Sequence, residues 1–158
     1  MTVEAKLKEL GIDLPPPAKP LGTYVPAVRA GGLVFTSGQV PLKGENLVAA
    51  GKVPTEVSLE QAQASARTAV LNALSAVRAE VGTLDAVARI VRMNVFVNSA
   101  PGFTGQAAVA NGASELLCEL FGEAGRHTRC AIGAAELPRN APVEIDLVVE
   151  LRPGLGQG

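Results

Sequence analysis

The sequence predicts an α+β domain: a mixed β-sheet with two helices packed on one of its faces. Three observations lead there. Strand-like segments gather at both ends of the chain and two helical ones lie between them, in the order β-β-(β)-α-β-α-β-β, which suggests helices covering one side of a sheet. One helix declares itself by an S-x-x-Q start at Ser58 and Gln61, followed by apolar residues at helical spacing. The last strand alternates cleanly, with Val143, Ile145, Leu147, Val149 and Leu151 against Glu144, Asp146, Val148, Glu150 and Arg152. A length of 158 residues favours a single domain. Hydrophobic residues make up 47% and aromatics only 3%, so aliphatic side chains and alanine must build the core.

Taken in order, residues Val3 to Leu10 read as a short amphipathic helix stopped by Gly11. The stretch "LPPPAKP" then forces an extended, partly polyproline segment. We read residues 1–21 as a helix and arm, 22–152 as the domain and 153–158 as a tail. A β-hairpin is expected from Thr23–Arg29 and Leu33–Ser37 around Ala30-Gly31-Gly32, with Pro26 marking an edge strand or a bulge. Residues Leu42–Pro54 are loop-like, with a short strand at Asn46–Ala49. The capped helix places Leu59, Ala62, Ala66, Ala69, Val70, Ala73, Leu74, Val77 and Val81 on one face and ends at Gly82. "DAVARIVRMNVFVNS" is too apolar for a one-sided strand and belongs inside the sheet. After the Pro101-Gly102 turn, "QAAVANGASELLCELFG" is the second helix, although Gly112 inside it costs about 1 kcal/mol against alanine.

The sheet face turned away from the helices needs cover. It is expected to carry Glu144, Asp146 and Glu150 on the last strand, and Ile90 and Phe96 among Arg92 and Asn94 on the inner one. A sheet with apolar residues on both faces commonly buries the second against another subunit, so an oligomer is expected.

Composition excludes several functions. The net charge is −1 and the pI about 5.9, with one tyrosine and four phenylalanines, which argues against a dedicated nucleic-acid binder. The N-terminus lacks an apolar signal core, and no uninterrupted apolar run reaches the roughly 18 residues of a membrane span. Cys118 and Cys130 show no metal spacing and are expected to be buried free thiols, which fits the cytoplasm; one histidine cannot complete a zinc site. Neither "GGLVFTSG" nor "GAGRH" forms a phosphate-binding glycine motif, and "FTSGQ" around Ser37 lacks a nucleophile elbow.

Arg129 and Glu144 remain. Alternation sets His127, Arg129 and Ala131 on one face of their strand and Cys130 on the other. If that strand and the last one pair as a hairpin across "ELPRNAP", Arg129 and Glu144 share a face. Two readings stay open: a structural ion pair, or a carboxylate-binding arginine beside a carboxylate that handles water or a proton. His127, two residues before Arg129, either narrows the site or adds a second cation below neutral pH, or is a solvent-exposed histidine at a strand start.

The stretch "TRCAIGAAELPRNAPVEI" resembles the C-terminal signature of the reactive-intermediate deaminase family, also called RidA, YjgF or endoribonuclease L-PSP. The spacing from Arg129 to Leu137 to Glu144 agrees with it. "GTYVPAVRAGGLVFTSGQVP" is similar to the family's block ending in S-G-Q-(I/V)-P, and "VFVN" matches before the second helix; the likeness covers roughly Gly22 to Leu151. The resemblance implies a chorismate-mutase-like fold, a homotrimer with clefts between neighbouring subunits, and hydrolysis of enamines and imines such as 2-aminoacrylate or 2-iminobutyrate to 2-keto acids and ammonia. It implies no cofactor and no metal. It assigns Arg129 to the substrate carboxylate and Glu144 to the attacking water. Tyr24 would line the cleft from the first strand, and Ser37 and the Gly38 N–H would bond near the ligand. Asn111 matches a helix asparagine of the family, and Ala131 stands where many members have cysteine. A non-catalytic trimer that binds small carboxylate metabolites is the alternative, and a ribonuclease rests on the family's name alone. The departures are "GTY" for "GPY", and His127 where the family has proline or alanine.

Overall fold

A capped helix, a β-hairpin and an alternating strand organise the chain as their sequences require. The structure, a computed structural model, describes residues 1–20 and 22–154. Leu21, at the end of the expected arm, and residues 155–158 of the expected tail lie outside the described residues. Helix α1 (Val3–Glu9) is capped by Thr2 and buries Val3 and Leu7. It is pinned by its own Glu4: Oε1 accepts from Leu84 N at 2.9 Å, and the Glu4 N–H donates to Asp85 Oδ1 at 3.1 Å.

Strands β1 (Ala27–Ala30) and β2 (Leu33–Thr36) form the hairpin, turning at Gly31 with φ of 61°, a backbone state glycine adopts without a Cβ penalty. Strand β1 starts after Pro26 rather than at Thr23. Strands β3 (Leu42–Lys43) and β4 (Asn46–Leu47) make a separate small hairpin, of which the sequence suggested only the second strand. Helix α2 (Leu59–Val81) shows the full capping box. Ser58 Oγ accepts from Gln61 N at 3.2 Å, and Gln61 Oε1 accepts from Ser58 N at 2.9 Å. Strand β5 (Val87–Asn98), helix α3 (Gln106–Phe121), strand β6 (Thr128–Ala134) and strand β7 (Val143–Leu151) follow.

The main sheet has the order β1-β2-β7-β5-β6; β6 runs parallel to β5 and the other neighbours are antiparallel. β5 therefore lies inside the sheet, as its composition suggests. Ile145, Leu147 and Val149 of β7 and Met93, Val95 and Val97 of β5 are buried with α2 and α3 in one core. Two expectations fail here. β6 does not pair with β7; β5 lies between them. Ile90 is fully buried rather than on the open face. Register shifts between Val87 and Arg89 and between Ile90 and Arg92 interrupt the alternation, so Ile90 turns to the helices.

Gly112 has a packing reason. A Cβ there would collide with the carbonyl oxygen of Gln63 on α2, so the missing side chain lets α2 and α3 approach. The helix gain of about 1 kcal/mol for alanine is then outweighed by an overpacking cost of about 1–3 kcal/mol. Gly112→Ala is expected to lower stability by up to about 2 kcal/mol, read as a lower urea midpoint at unchanged m value; a raised midpoint would refute the contact.

Candidate active site

The expected site residues fall into two groups. The first is on the helix side of the edge strand β6. Arg129 pairs in register with Met93, and Cys130 with Asn94. Arg129 thus shares the face of buried Met93 and reaches α3, where its Nη1 donates to Asn111 Oδ1 at 2.9 Å and to Ser114 Oγ at 3.0 Å. His127 joins this group: Nε2 lies 3.0 Å from Ser114 Oγ and Nδ1 lies 2.6 Å from the Gly125 carbonyl. Ala131 follows on the same face, paired with Val95 and packed against the core. Among the described residues, Arg129 Nε and Nη2 and Asn111 Nδ2 meet no protein acceptor.

The second group is on the other face. Glu144 pairs with Phe96 of β5, and Phe96 pairs with Ile132 of β6. Gly38 presses on Glu144, where a Cβ would collide with its carboxyl group. The adjacent Gln39 bridges Ile145, N–H to carbonyl at 2.7 Å and back at 2.9 Å, so glycine at 38 lets this segment lie over the β7 carboxylate. Ser37 Oγ donates to the Val25 carbonyl at 2.6 Å, tying Ser37 to the segment that precedes β1. Tyr24 precedes β1 rather than belonging to it and is exposed.

Arg129 and Glu144 therefore stand on opposite faces with β5 between their strands, and the shared face expected from a β6–β7 hairpin is corrected. No intrachain ion pair joins them. Ser114 is the site residue the sequence reading missed. The signal was there: Asn111 and Ser114 are three apart on a helix and so point the same way.

Burial pushes the Glu144 carboxyl above its ordinary value of 4.5, and the nearby charge of Asp146 adds to that. Burial also raises Asp146 from 3.8, against the opposing pull of Asn94, which donates to Oδ1 at 2.9 Å, and of Arg92. Carboxyls raised in the fold bind protons more tightly there than in the unfolded chain. Their favourable contribution is complete below pH 3.8–4.5 and is lost as pH rises through the raised titrations. Glu144→Gln is expected to flatten this part of a stability–pH curve from denaturant melts. A slope equal to that of the wild type would show that Glu144 is not the source.

Both cysteines are free, as expected, but exposed rather than buried. Cys130 Sγ accepts from Arg92 Nη2 at 3.3 Å. Among the described residues no cluster of three or more His, Cys, Asp or Glu could hold a metal ion, and no helix is long and apolar enough to cross a membrane.

The open face carries exposed Val28, Phe35 and Ile132. Val28 pairs with Phe35 and Phe35 with Val148, while Phe96 pairs with both Glu144 and Ile132; these two apolar groups are separated by the paired Asp146 and Asn94, and the second lies beside Glu144.

A family model described as "YjgF/chorismate_mutase-like, putative endoribonuclease" matches residues 4–151. The chain is 46% identical over 150 residues to Protein TCP17 of Trypanosoma cruzi, covering 94% of each. It is similar to the crystal structure of Atu1372 from Agrobacterium tumefaciens, with a TM-score of 0.88 and 42% identity over 95% of this chain and 92% of that one. It is 31% identical over 130 residues to the Escherichia coli K12 protein named "Putative reactive intermediate deaminase TdcF", covering 81% of this chain and 86% of that protein. The structure of TdcF with bound serine aligns with a TM-score of 0.61 at 29% identity, over 88% and 94% of the two chains.

Proposed function

Because the chain belongs to the RidA/YjgF family, we propose that it hydrolyses small 2-imino acids to 2-keto acids and ammonia, in clefts that two copies of a homotrimer close together. One observation carries this reading. The free edge of Arg129 and the half-buried carboxyl of Glu144 lie on opposite faces of one sheet. A small ligand meets both only if Arg129 comes from one copy and Glu144 from the next. Phe96 and Ile132 beside Glu144, and Val28, Phe35 and Val148 further along the same face, give a neighbouring copy apolar area to bury.

The chemistry follows from the groups. Arg129 offers Nε and Nη2 as a two-pronged donor for a carboxylate, with Asn111 Nδ2 beside it. A water attacks the imine carbon and passes a proton to Glu144. Glu144 hands that proton to the imine nitrogen, giving the carbinolamine; it then takes the hydroxyl proton and delivers it to the amine, so that the C–N bond breaks, ammonia leaves and the keto acid remains. Glu144 suits both transfers because burial holds its titration above that of a free glutamate. Gly38 lies against the carboxyl, and its N–H would supply a hydrogen bond near the ligand. TdcF is named a reactive intermediate deaminase and its structure holds serine, a small carboxylate-bearing molecule, which supports the same class of ligand here.

The test is keto-acid release from freshly generated 2-iminobutanoate. Acceleration over buffer supports the reading. Tight binding of 2-oxobutanoate without acceleration would instead make the protein a carboxylate-binding trimer, with Glu144 only orienting the ligand.

A further inference from the structure

The hydrogen bonds around Arg129 run in only one direction. A guanidinium can only donate, so Ser114 Oγ accepts from Arg129 Nη1 at 3.0 Å. The serine's single proton must then go elsewhere, and the group 3.0 Å away is His127 Nε2. The other ring nitrogen lies 2.6 Å from the Gly125 carbonyl, which can only accept. In the neutral ring Nδ1 then carries the proton and Nε2 the lone pair, since the bond at one nitrogen sets the state of the other. The chain Arg129→Ser114→His127→Gly125 satisfies every donor with an acceptor.

Its far end is fixed. Gly125 is buried, and a Cβ on it would collide with the Leu117 carbonyl on α3. The histidine thus hangs from a carbonyl that is itself pressed onto the helix carrying Asn111 and Ser114. Arg129 is held at Nη1 by two acceptors from one helix face, and its Nε–Nη2 edge is left free.

We propose that His127 and Ser114 are positioning residues: the pair, locked in the Nδ1–H tautomer, sets the angle at which Arg129 presents its free edge to a ligand carboxylate. This rests on the carboxylate reading of Arg129. The relay uses Ser114 and a histidine that stands where the family's pattern usually has proline or alanine. The polar atoms of this group without a protein partner among the described residues are donors, Arg129 Nε and Nη2 and Asn111 Nδ2, whereas Asn111 Oδ1, Ser114 Oγ and His127 Nε2 each already have a partner. A ligand offering acceptors alone, such as a carboxylate beside a carbonyl or imine nitrogen, is then favoured over one that brings donors.

His127 is the chain's only histidine, so ¹⁵N-histidine labelling of the wild type gives a single assignable ring. The expected spectrum near neutral pH is a protonated Nδ1 and a bare Nε2, with the Nε2 signal moving in Ser114→Ala. Calorimetry with 2-oxobutanoate is the second arm. Ser114→Ala and His127→Phe are each expected to weaken binding about tenfold, the double variant no further than either single one, and Ser114→Thr to recover most of it. An Nε2–H tautomer, wild-type affinity in Ser114→Ala, or fully additive losses would each overturn the relay. If wild-type protein binds no 2-oxobutanoate, the carboxylate reading falls separately. The tautomer and its response to Ser114→Ala, with the broadening of the Arg129 guanidinium ¹⁵N signals on loss of Ser114, then decide the relay alone.

Discussion

Replacing Arg129 by alanine is expected to lower kcat/KM for 2-iminobutanoate by about a hundred- to a thousandfold, because a charge-assisted two-point contact disappears and the ligand carboxylate is left without its cation. Most of the loss should appear in KM, and 2-oxobutanoate binding should fall with it. Folding should change little. Arg129 makes two side-chain hydrogen bonds and no ion pair, and it sits on an edge strand. Lysine at the same place keeps the charge but not the fork, so Arg129→Lys should recover only a small part of the loss. A variant with unchanged kcat/KM and intact fold would remove Arg129 from the site, and the carboxylate reading with it.

Glu144→Gln is expected to act on the other kinetic parameter. Glutamine keeps the size and one acceptor oxygen but cannot take a proton from water, so kcat should drop by about a hundred- to ten-thousandfold while 2-oxobutanoate still binds. The placement of the two residues adds a sharper outcome. If each cleft takes Arg129 from one copy and Glu144 from its neighbour, unfolding and refolding the two inactive variants together should regenerate some intact clefts and measurable turnover. Mixtures as inactive as their parents would argue that one chain holds the whole site.

The fold was largely legible where local chemistry decides it. Ser58 and Gln61 announce α2, Gly31 the hairpin, and the alternation from Val143 to Leu151 the buried face of β7. Pairing between distant strands was not. The short connection from β6 to β7 reads like a hairpin link, yet β5 inserts between them, and no period-2 pattern reveals which neighbour a strand selects. That misreading carried the site with it, because Arg129 and Glu144 were placed on one face by the assumed pairing. The irregular register of β5 likewise reversed Ile90, since one extra residue inverts the alternation beyond it. Both thiols were expected inside from the usual habit of free cysteine. Cys118 instead takes the outer side of α3, and Cys130 sits on the open face with Arg92. Ser114 went unnoticed because its meaning depends on a strand that arrives after the helix in sequence.

The close approach at Gly112 reaches beyond helix packing. The residue stands between Asn111 and Ser114, whose oxygens hold Arg129. The depth at which α3 seats on α2 therefore also sets how far those oxygens extend toward the strand. One helix answers to two demands at once, and mutational drift on its inner side should surface first as altered ligand selectivity, before any loss of folded protein.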